Sequence, residues 1–343
     1  MSAVGVGFLG AGPVTQAIHL GALASMPEEF RILWVMDANS AVANVVAGRC
    51  GATGTTEVAS VLADPAVDVV AVCSPNAFHA GQVIAACRAG KKVVLCEKPL
   101  AISMEEAVAI KSAAEASGTA IFVNTMHAYD PAYRAALKAW KSTGEAALRI
   151  RSGIFIPSND EFINQITEQV PVVPVPRGDA TLDVAFKKMM LRGAMLGLAI
   201  HNVPLIRDFQ PNMGQLLSAE FMPPYGYTLL TEDSTSTVEL TALAPGKWPP
   251  KWHFDVVGAT YRLKASMPPS YVMAGSGRVE LEGPDSTQVF SFDHNGYQAV
   301  WQAVFRTVRD GTAPPIPLET AVADLAFALD LAGSIDHYLE ARA

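Results

Sequence analysis

The sequence predicts an α/β protein with a doubly wound parallel sheet, followed by an α+β domain with a mostly antiparallel, open sheet. The first observation behind this prediction is that short apolar runs alternate with helical patterns up to about residue 125. The second is that residues 215–292 contain apolar runs with a two-residue period, separated by Gly, Pro and Asp. The third is size, since 343 residues, 50% of them hydrophobic, suffice for two domains with buried cores.

Five apolar runs mark the predicted strands of the N-terminal sheet. They are residues 4–9, 32–36, 67–73, 92–96 and 120–124. The helical segments between them favour parallel pairing, with helices on both faces of the sheet. Ligands of such sheets bind beyond the carboxyl ends of the strands, so the residues that follow each run are the candidates for a binding site.

The second half of the chain combines strands with long helical segments. We expect helices at 131–142, 180–209 and 321–339, and strands at 146–156, 236–244, 252–257, 260–264 and 288–292. Helices should cover one face of this sheet. We expect domains at 1–125 and 126–343, with the helix 321–339 free to pack back on the first domain. The proline-rich stretch 170–176 is expected to be a loop.

Composition and charge argue against several classes of protein. The 33 acidic and 25 basic residues give a net charge of −8, and no basic run exceeds Lys91-Lys92 or Lys187-Lys188, which argues against a nucleic-acid partner. No apolar stretch approaches the roughly 20 residues that span a bilayer, and no basic start of a secretory signal precedes Arg31. The four cysteines have no C-x-x-C spacing. We expect a cytoplasmic protein with reduced thiols, no membrane association and no metal.

The first apolar run ends in a glycine-rich turn, and residues 4–15 read VGVGFLGAGPVT. Gly10 permits a tight turn, Gly12 lets the backbone approach a pyrophosphate, and the helix that opens at Pro13 and Val14 directs amide groups at the anion. The third glycine of this fingerprint is replaced by Thr15. The pattern predicts a dinucleotide site, and the alternative is an ordinary strand-to-helix turn.

Asp37 follows the second apolar run, at the position where an acidic side chain accepts hydrogen bonds from an adenosine ribose. Residues 38–40 include no Arg or Lys to receive a 2′-phosphate. We therefore predict NAD rather than NADP as the cofactor. The alternative for Asp37 is a helix N-terminal cap.

Lys98 follows directly after the apolar run 92–96 and Glu97. At that edge of the sheet a lysine can hydrogen-bond to a substrate hydroxyl, stabilise its alkoxide, and have its pKa lowered by desolvation. We therefore predict Lys98 as a catalytic residue. The alternatives are a structural ion pair with Glu97 and a solvated loop charge.

Several segments together resemble a known family. They are the two-glycine turn and residues 74–79 (SPNAFH), 89–100 (AGKKVVLCEKPL) and 128–133 (AYDPAY). The chain is similar over essentially its whole length to the glucose-fructose oxidoreductase, inositol dehydrogenase and rhizopine catabolism (Gfo/Idh/MocA) family of NAD(P)-dependent oxidoreductases. The resemblance implies an N-terminal Rossmann domain and a second domain whose open sheet joins subunits, hence a homodimer or homotetramer. It also implies hydride transfer between nicotinamide C4 and a hydroxyl-bearing carbon of a sugar or cyclitol.

The resemblance also implies a histidine as the second catalytic element, and His201 in residues 193–204 (GAMLGLAIHNVP) matches it. The family places an aspartate four residues earlier, where this chain has Gly197. Imidazole titrates near neutral pH, so His201 is the predicted general base, and the alternative is a satisfied core histidine. Asp183 or Lys187 could enter the cleft in place of the aspartate, or lie on a solvated helix face.

Further contacts follow from the same resemblance. On the cofactor side it points to Ser74, Asn76, His79, Glu97 and Lys98, with helix capping or packing as the alternative for His79. On the substrate side it points to His127, in place of an arginine that the family often carries where this chain has Ala128. The Tyr129 ring could offer an apolar face to a sugar ring, and the alternative is a role in the core or at an oligomer interface.

These residues predict an NAD-dependent dehydrogenase that oxidises a secondary alcohol of a sugar, sugar derivative or cyclitol, or reduces the corresponding ketone. His201 would remove the hydroxyl proton while Lys98 polarises the oxygen. The absence of the aspartate at Gly197 leaves two alternatives. One is a catalytically silent NAD-binding sensor of the same fold, and the other is a reductase of a non-carbohydrate such as a cyclic diol or an imine.

Overall fold

The computed structural model describes residues 2–166 and 183–342, with the side chains of 165 and 166 left aside. The predicted loop at 170–176 lies outside the described residues. Within them the chain forms two compact units. The first contains residues 2–124, 163–166 and 297–325, and the second contains 125–162, 183–296 and 326–342.

A six-stranded sheet forms the centre of the first unit. Its strands are β1 (Val4–Leu9), β2 (Phe30–Met36), β3 (Thr53–Thr55), β4 (Val69–Val72), β5 (Val93–Glu97) and β6 (Ala120–Asn124). They are ordered β3-β2-β1-β4-β5-β6, and every neighbouring pair is parallel. The order reverses between β1 and β4, so the carboxyl ends of these two strands flank the crevice where such sheets bind ligands. The predicted doubly wound parallel sheet is confirmed, with β3 as an additional edge strand.

Helices connect these strands as the alternating sequence pattern predicts. They are α1 (Leu20–Ala24), preceded by a π-helical turn at Thr15–His19, α2 (Ser40–Cys50), α3 (Val58–Ala63), α4 (His79–Arg88) and α5 (Met104–Ser117). Local capping fixes several ends. The Asn39 side chain accepts from the first amides of α2, and the Ser103 side chain does so for α5. Gly51 and Gly118 end these two helices in the left-handed conformation.

An eight-stranded sheet forms the second unit. Its strands are β7 (Arg149–Phe155), β8 (Gln215–Phe221), β9 (Gly226–Glu232), β10 (Thr237–Leu243), β11 (Lys251–Val257), β12 (Arg262–Ser266), β13 (Arg278–Glu282) and β14 (Thr287–Phe290). The order is β14-β13-β12-β11-β7-β10-β9-β8. Within the described part of this second sheet, β7 and β10 form the only parallel pair. Alternate residues of β10, namely Val238, Leu240 and Ala242, are buried. This confirms the predicted mostly antiparallel sheet with one covered face.

The remaining helices are α6 (Pro131–Thr143), α7 (Asn159–Ile166), α8 (Val184–Gly197), α9 (Val203–Arg207), α10 (Gly296–Asp310) and α11 (Leu318–Glu340). The helical segment expected at 180–209 is interrupted. α8 stops at Gly197, a 3₁₀ turn follows at Ala199–His201, and α9 begins with Pro204 in its first turn. None of the described helices has the length and apolar character that a membrane crossing requires.

Candidate functional site

The glycine turn after β1 has the geometry that a dinucleotide phosphate needs. Gly10 has φ +102°, and a Cβ there would lie 2.6 Å from the backbone carbon of Cys73, so no other residue fits without distortion. At Gly12, by contrast, a Cβ would meet nothing within 4 Å, which leaves open space before the backbone. Thr15, in the place of the third glycine, donates from Oγ1 to the Gly10 carbonyl at 2.7 Å and closes the turn. The turn therefore fits a bound pyrophosphate.

Asp37 lies just beyond β2 and is tied to this turn. Its Oδ2 accepts from the Ala11 amide, and its Oδ1 accepts from the Asn39 amide, both at 2.9 Å. The side chain that caps α2 is Asn39 and not Asp37, so the capping alternative for Asp37 is wrong. The carboxylate is half-buried at the carboxyl edge of the sheet, where an acidic group can accept from ribose hydroxyls.

The predicted contacts beyond β4 differ in exposure. Asn76 opens a 3₁₀ turn and is exposed, whereas Ser74 is half-buried and donates to Gln82 Oε1 at 2.7 Å. His79, the first residue of α4, is 1% exposed. Its ring nitrogens lie 2.7 Å from the Pro99 carbonyl oxygen and 2.8 Å from the Ser74 carbonyl oxygen. The His79 side chain thus joins the loops after β4 and β5. A cofactor contact by His79 stays a prediction.

Glu97 ends β5 at the centre of a buried hydrogen-bond network. The side chain of His19 donates from Nε2 to Glu97 Oε1 at 2.9 Å, and the Asn124 amide donates to the same oxygen at 2.6 Å. The indole N–H of Trp301 donates to His19 Nδ1 at 3.1 Å. All four side chains are at least 90% buried. The buried Glu97 oxygen serves this network and thereby fixes the backbone that carries Lys98. A cofactor contact by Glu97 stays a prediction.

The protonation of His19 follows from its partners. Burial lowers its pKa, whereas Cys73 and Glu97 act in the opposite direction and raise it, to about 10 overall. The hydrogen bond from Trp301 opposes this increase in the His19 pKa. An indole N–H can only donate, so it requires that Nδ1 of His19 carry no proton. Since Nδ1 accepts from Trp301, the proton that His19 donates to Glu97 is on Nε2. Each hydrogen bond from Trp301 through His19 and Glu97 to the Asn124 amide then has one donor and one acceptor.

Lys98 is half-buried in the turn that follows β5. Its backbone amide lies 3.3 Å from Glu97 Oε2, which accepts from it. Burial lowers the pKa of the Lys98 amine below its ordinary value, and the neighbouring Glu97 carboxylate offsets part of that effect. Lys98 thus lies at the carboxyl edge of the parallel sheet with a lowered pKa. Its catalytic role stays a prediction.

In the second unit, two predicted site histidines lie against one tryptophan. The rings of His127 and His201 contact Trp252 edge to face, with centroids 4.6 and 5.2 Å away, and the two histidine centroids are 6.4 Å apart. Trp252 donates from its indole to Asn202 Oδ1 at 2.9 Å, and Asn202 donates to Ser152 Oγ at 2.8 Å. Trp252 is held by this chain of bonds and in turn fixes both imidazoles.

The partners of these imidazoles indicate where each carries its proton. His127 Nε2 is 3.2 Å from the Pro268 carbonyl, and His201 Nδ1 is 3.1 Å from Met126 Sδ. Carbonyl and thioether groups only accept, so these nitrogens are the N–H donors. The lone pair of His201 is therefore on Nε2. Burial lowers the pKa of His127, against a smaller opposing effect of Asp130.

The other predicted substrate residues have clear local roles. Asp183 is the N-cap of α8, and its Oδ1 accepts from the Phe186 amide at 2.8 Å. This bond is sufficient reason for an aspartate here, and a substrate contact by Asp183 stays a prediction. Tyr129 is 6% exposed in a 3₁₀ turn, and its substrate contact likewise stays a prediction.

Sequence reasoning missed His19, Trp301 and Asn202. His19 and Trp301 are 282 residues apart and meet only in the folded unit. Trp301 lies in α10, a helix that was not predicted although its apolar residues Val300, Trp301, Val304 and Phe305 recur at helical spacing. That periodicity was the available signal, and it identifies the helix but not the hydrogen bond.

Comparison with known proteins agrees with the fold of the first unit. Residues 4–125 match the Gfo/Idh/MocA model, described as an oxidoreductase family with an NAD-binding Rossmann fold. Inositol 2-dehydrogenase 3 of Saccharopolyspora erythraea is 38% identical over 132 residues, 38% of this chain and 38% of that protein. The 1,5-anhydro-D-fructose reductase of Ensifer adhaerens is 30% identical over 154 residues, 44% of this chain and 46% of that protein. The chain thus spans less than half the length of these relatives.

Solved structures resemble the chain over most of its length. KijD10, a 3-ketoreductase from Actinomadura kijaniata solved with TDP-benzene and NADP in an open conformation, superposes with a TM-score of 0.73. The identity is 20%, and the match covers 95% of this chain and 96% of that one, which establishes a shared fold. With the glycine turn, the strand order and the family match, residues 4–125 form an NAD(P)-binding Rossmann domain of the kind found in the Gfo/Idh/MocA family of oxidoreductases.

Proposed function

We propose that this protein is an NAD-dependent dehydrogenase that oxidises a secondary alcohol of a sugar, sugar derivative or cyclitol, or reduces the corresponding ketone. The observation that carries the proposal is Lys98, a half-buried lysine with a lowered pKa at the carboxyl edge of a dinucleotide-binding sheet. Its backbone is anchored through Glu97 to a buried network. A cation held in this way can stabilise the negative charge that develops on an alcohol oxygen as hydride leaves.

Each residue of the proposed mechanism has one task. The turn at Gly10 and Gly12 binds the pyrophosphate, and Asp37 accepts hydrogen bonds from the adenosine ribose. When bound, the nicotinamide ring supplies the hydride acceptor or donor. Lys98 donates a hydrogen bond to the reacting oxygen, and the Nε2 lone pair of His201 takes the hydroxyl proton. Reduction reverses these proton movements.

The names of related proteins support the substrate class. They include inositol 2-dehydrogenase and 1,5-anhydro-D-fructose reductase, whose names specify a cyclitol and a sugar derivative. Both units offer polar groups suited to hydroxylated ligands, with Lys98 in the first and His127 and His201 in the second. We propose domains at 1–125 and 126–343, a cytoplasmic location, and a homodimer or homotetramer as the working assembly.

The test is a turnover assay with purified full-length protein. Myo-inositol, scyllo-inositol, levoglucosan and 1,5-anhydro-D-glucitol are each incubated with NAD and, separately, with NADP, and absorbance of the reduced nicotinamide is followed. We expect turnover of at least one compound, with a higher kcat/KM for NAD, because Asp37 repels a 2′-phosphate. Binding of NAD without turnover on any compound would favour the sensor alternative. A preference for NADP would contradict the role given to Asp37.

A pH-rate profile tests the role of Glu97 beside Lys98. The Glu97 carboxylate raises the pKa of the Lys98 amine, and burial lowers it. Glu97→Gln removes the negative charge but keeps an Oε1 that accepts from His19 and Asn124. Since the Lys98 proton is then lost more easily, the alkaline limb of the kcat profile should move to lower pH.

The matched control for this profile is Glu115→Gln, which neutralises an exposed glutamate of α5 paired with Lys111. Its alkaline limb should coincide with that of the parent protein. The alkaline limb of the Glu97→Gln profile could instead stay in place or move to higher pH. Either result would show that Lys98 is not the group whose deprotonation limits turnover.

A further inference from the structure

The Tyr225 hydroxyl lies against the last turns of α8, the helix that ends four residues before His201, and Tyr227 is close to it in sequence. Tyr225 is in the connection between β8 and β9, and Tyr227 is on the helix-covered face of β9. A Cβ on Gly197 would lie 2.9 Å from the Tyr225 hydroxyl oxygen, and one on Gly193 would lie 3.6 Å from it. The two glycines, one helical turn apart, therefore form a notch that receives this hydroxyl.

Neither phenol has a hydrogen-bond partner within the described ranges. Tyr227 is fully buried, and its hydroxyl oxygen lacks any partner there. Tyr225 is half-buried, and none of the hydrogen bonds among the described residues involves its hydroxyl. Buried hydroxyls in folded proteins are nearly always paired. Because Tyr225 is only half-buried, at a helix end, a polar ligand can reach its hydroxyl and complete the pairing there.

Both hydroxyls stay protonated across the physiological range. Burial raises the pKa of Tyr225 to about 12 and raises that of Tyr227 further, with a contribution from Tyr225 beside it. A protonated phenol donates one hydrogen bond and accepts another, as an alcohol does. A hydroxyl group of a polyol matches that pattern, whereas a carboxylate offers no donor and a hydrocarbon offers neither.

We propose that Tyr225, seated in the Gly193–Gly197 notch with Tyr227 behind it, binds a hydroxyl group of the polyol substrate. This subsite rests on the proposed function and deepens it, since it lies on the element that leads into His201. It also explains the glycine at 197. Any side chain at position 197 would displace the Tyr225 hydroxyl. An aspartate at 197 and the observed position of the Tyr225 hydroxyl therefore exclude each other.

Tyr225→Phe removes the hydroxyl and keeps the ring. With whichever of the four compounds named above is turned over, we expect the KM for that compound to rise about 3- to 10-fold, the loss of one neutral hydrogen bond. The KM for NAD should not change. Tyr261→Phe is the matched control, because it makes the same change outside the notch, and it should behave as the parent protein.

Gly197→Ala offers an independent route to the same effect, because its methyl group lies too close to the Tyr225 oxygen. Its KM should rise to a similar extent. In the double variant Tyr225→Phe/Gly197→Ala the increase should be no larger than in the worse single variant, since both changes remove one contact. Multiplied effects in the double variant would contradict a shared contact. An unchanged KM in Tyr225→Phe would overturn the subsite and leave the dehydrogenase intact.

Calorimetric titration of the NAD-loaded protein with the same four compounds separates this inference from the enzyme proposal. Should the parent protein bind a polyol without turning it over, weaker binding by Tyr225→Phe would support the subsite although the dehydrogenase activity fails. If the parent protein binds none of the four, or if Tyr225→Phe binds the polyol as tightly as the parent, the subsite is overturned.

Discussion

Replacing Lys98 by alanine is expected to lower kcat for alcohol oxidation by about 100-fold or more, the effect of removing a group that assists proton transfer and stabilises charge in the transition state. The affinity for NAD should change little, because the pyrophosphate turn and Asp37 are untouched. Stopped-flow or steady-state measurement of NADH formation gives kcat, and quenching of intrinsic fluorescence by NAD gives the dissociation constant.

Two further variants isolate the charge from the packing. Lys98→Met keeps the aliphatic chain of this half-buried side chain and should lose as much turnover as Lys98→Ala. Lys92→Ala removes an exposed lysine near the start of β5, paired with Asp68, and should turn over as the parent does. Unchanged kcat in Lys98→Met would remove Lys98 from the mechanism.

Much of the first unit is predictable because its signals are local. A buried parallel strand is a short apolar run, and the runs at 4–9 and 120–124 coincide with β1 and β6. The edge strand β3 has only three residues, with no fully buried side chain, so no apolar run marks it. The glycine turn and Lys98 lie where the sequence places them, because each directly follows a strand.

Contacts between distant residues leave no such signal. Glu97 was recognised from its motif, yet its partner His19 is 78 residues away and is itself held by Trp301. A hydrogen bond of this kind depends on how helices pack on the sheet, which periodicity does not encode. The same applies to the Tyr225 hydroxyl, which reaches Gly197 only because the connection between β8 and β9 folds over α8.

The geometry around His201 differs from the sequence expectation in an informative way. A continuous helix was expected at 180–209, whereas α8 ends at Gly197 and His201 lies in a 3₁₀ turn before Pro204. Glycine and proline weaken a helix from both sides of this turn. The imidazole is therefore oriented by Met126 and Trp252, and not by a carboxylate on the preceding helical turn.

Replacing His201 is the second change from which we expect a large loss of turnover. His201→Asn places an amide N–H near the position of Nδ1, which preserves a donor to Met126 Sδ, and removes the Nε2 lone pair. If His201 is the general base, kcat for oxidation should fall by about 100- to 10,000-fold at neutral pH. His201→Gln, which places a non-basic amide near Nε2, should lose a comparable amount.

A purely structural role for His201 makes a different prediction for the same pair of variants. The asparagine would keep the contact with Met126 and most of the turnover, whereas the glutamine would lose both. His294→Asn, at a half-buried histidine beside Asp293, is the matched control and should leave kcat unchanged. The double variant Lys98→Met/His201→Asn tests whether the two side chains act on the same alcohol. Groups that assist one and the same bond-breaking step act as a unit, so its kcat should fall much less than the product of the two single losses. A fully multiplicative loss would contradict joint action on one alcohol.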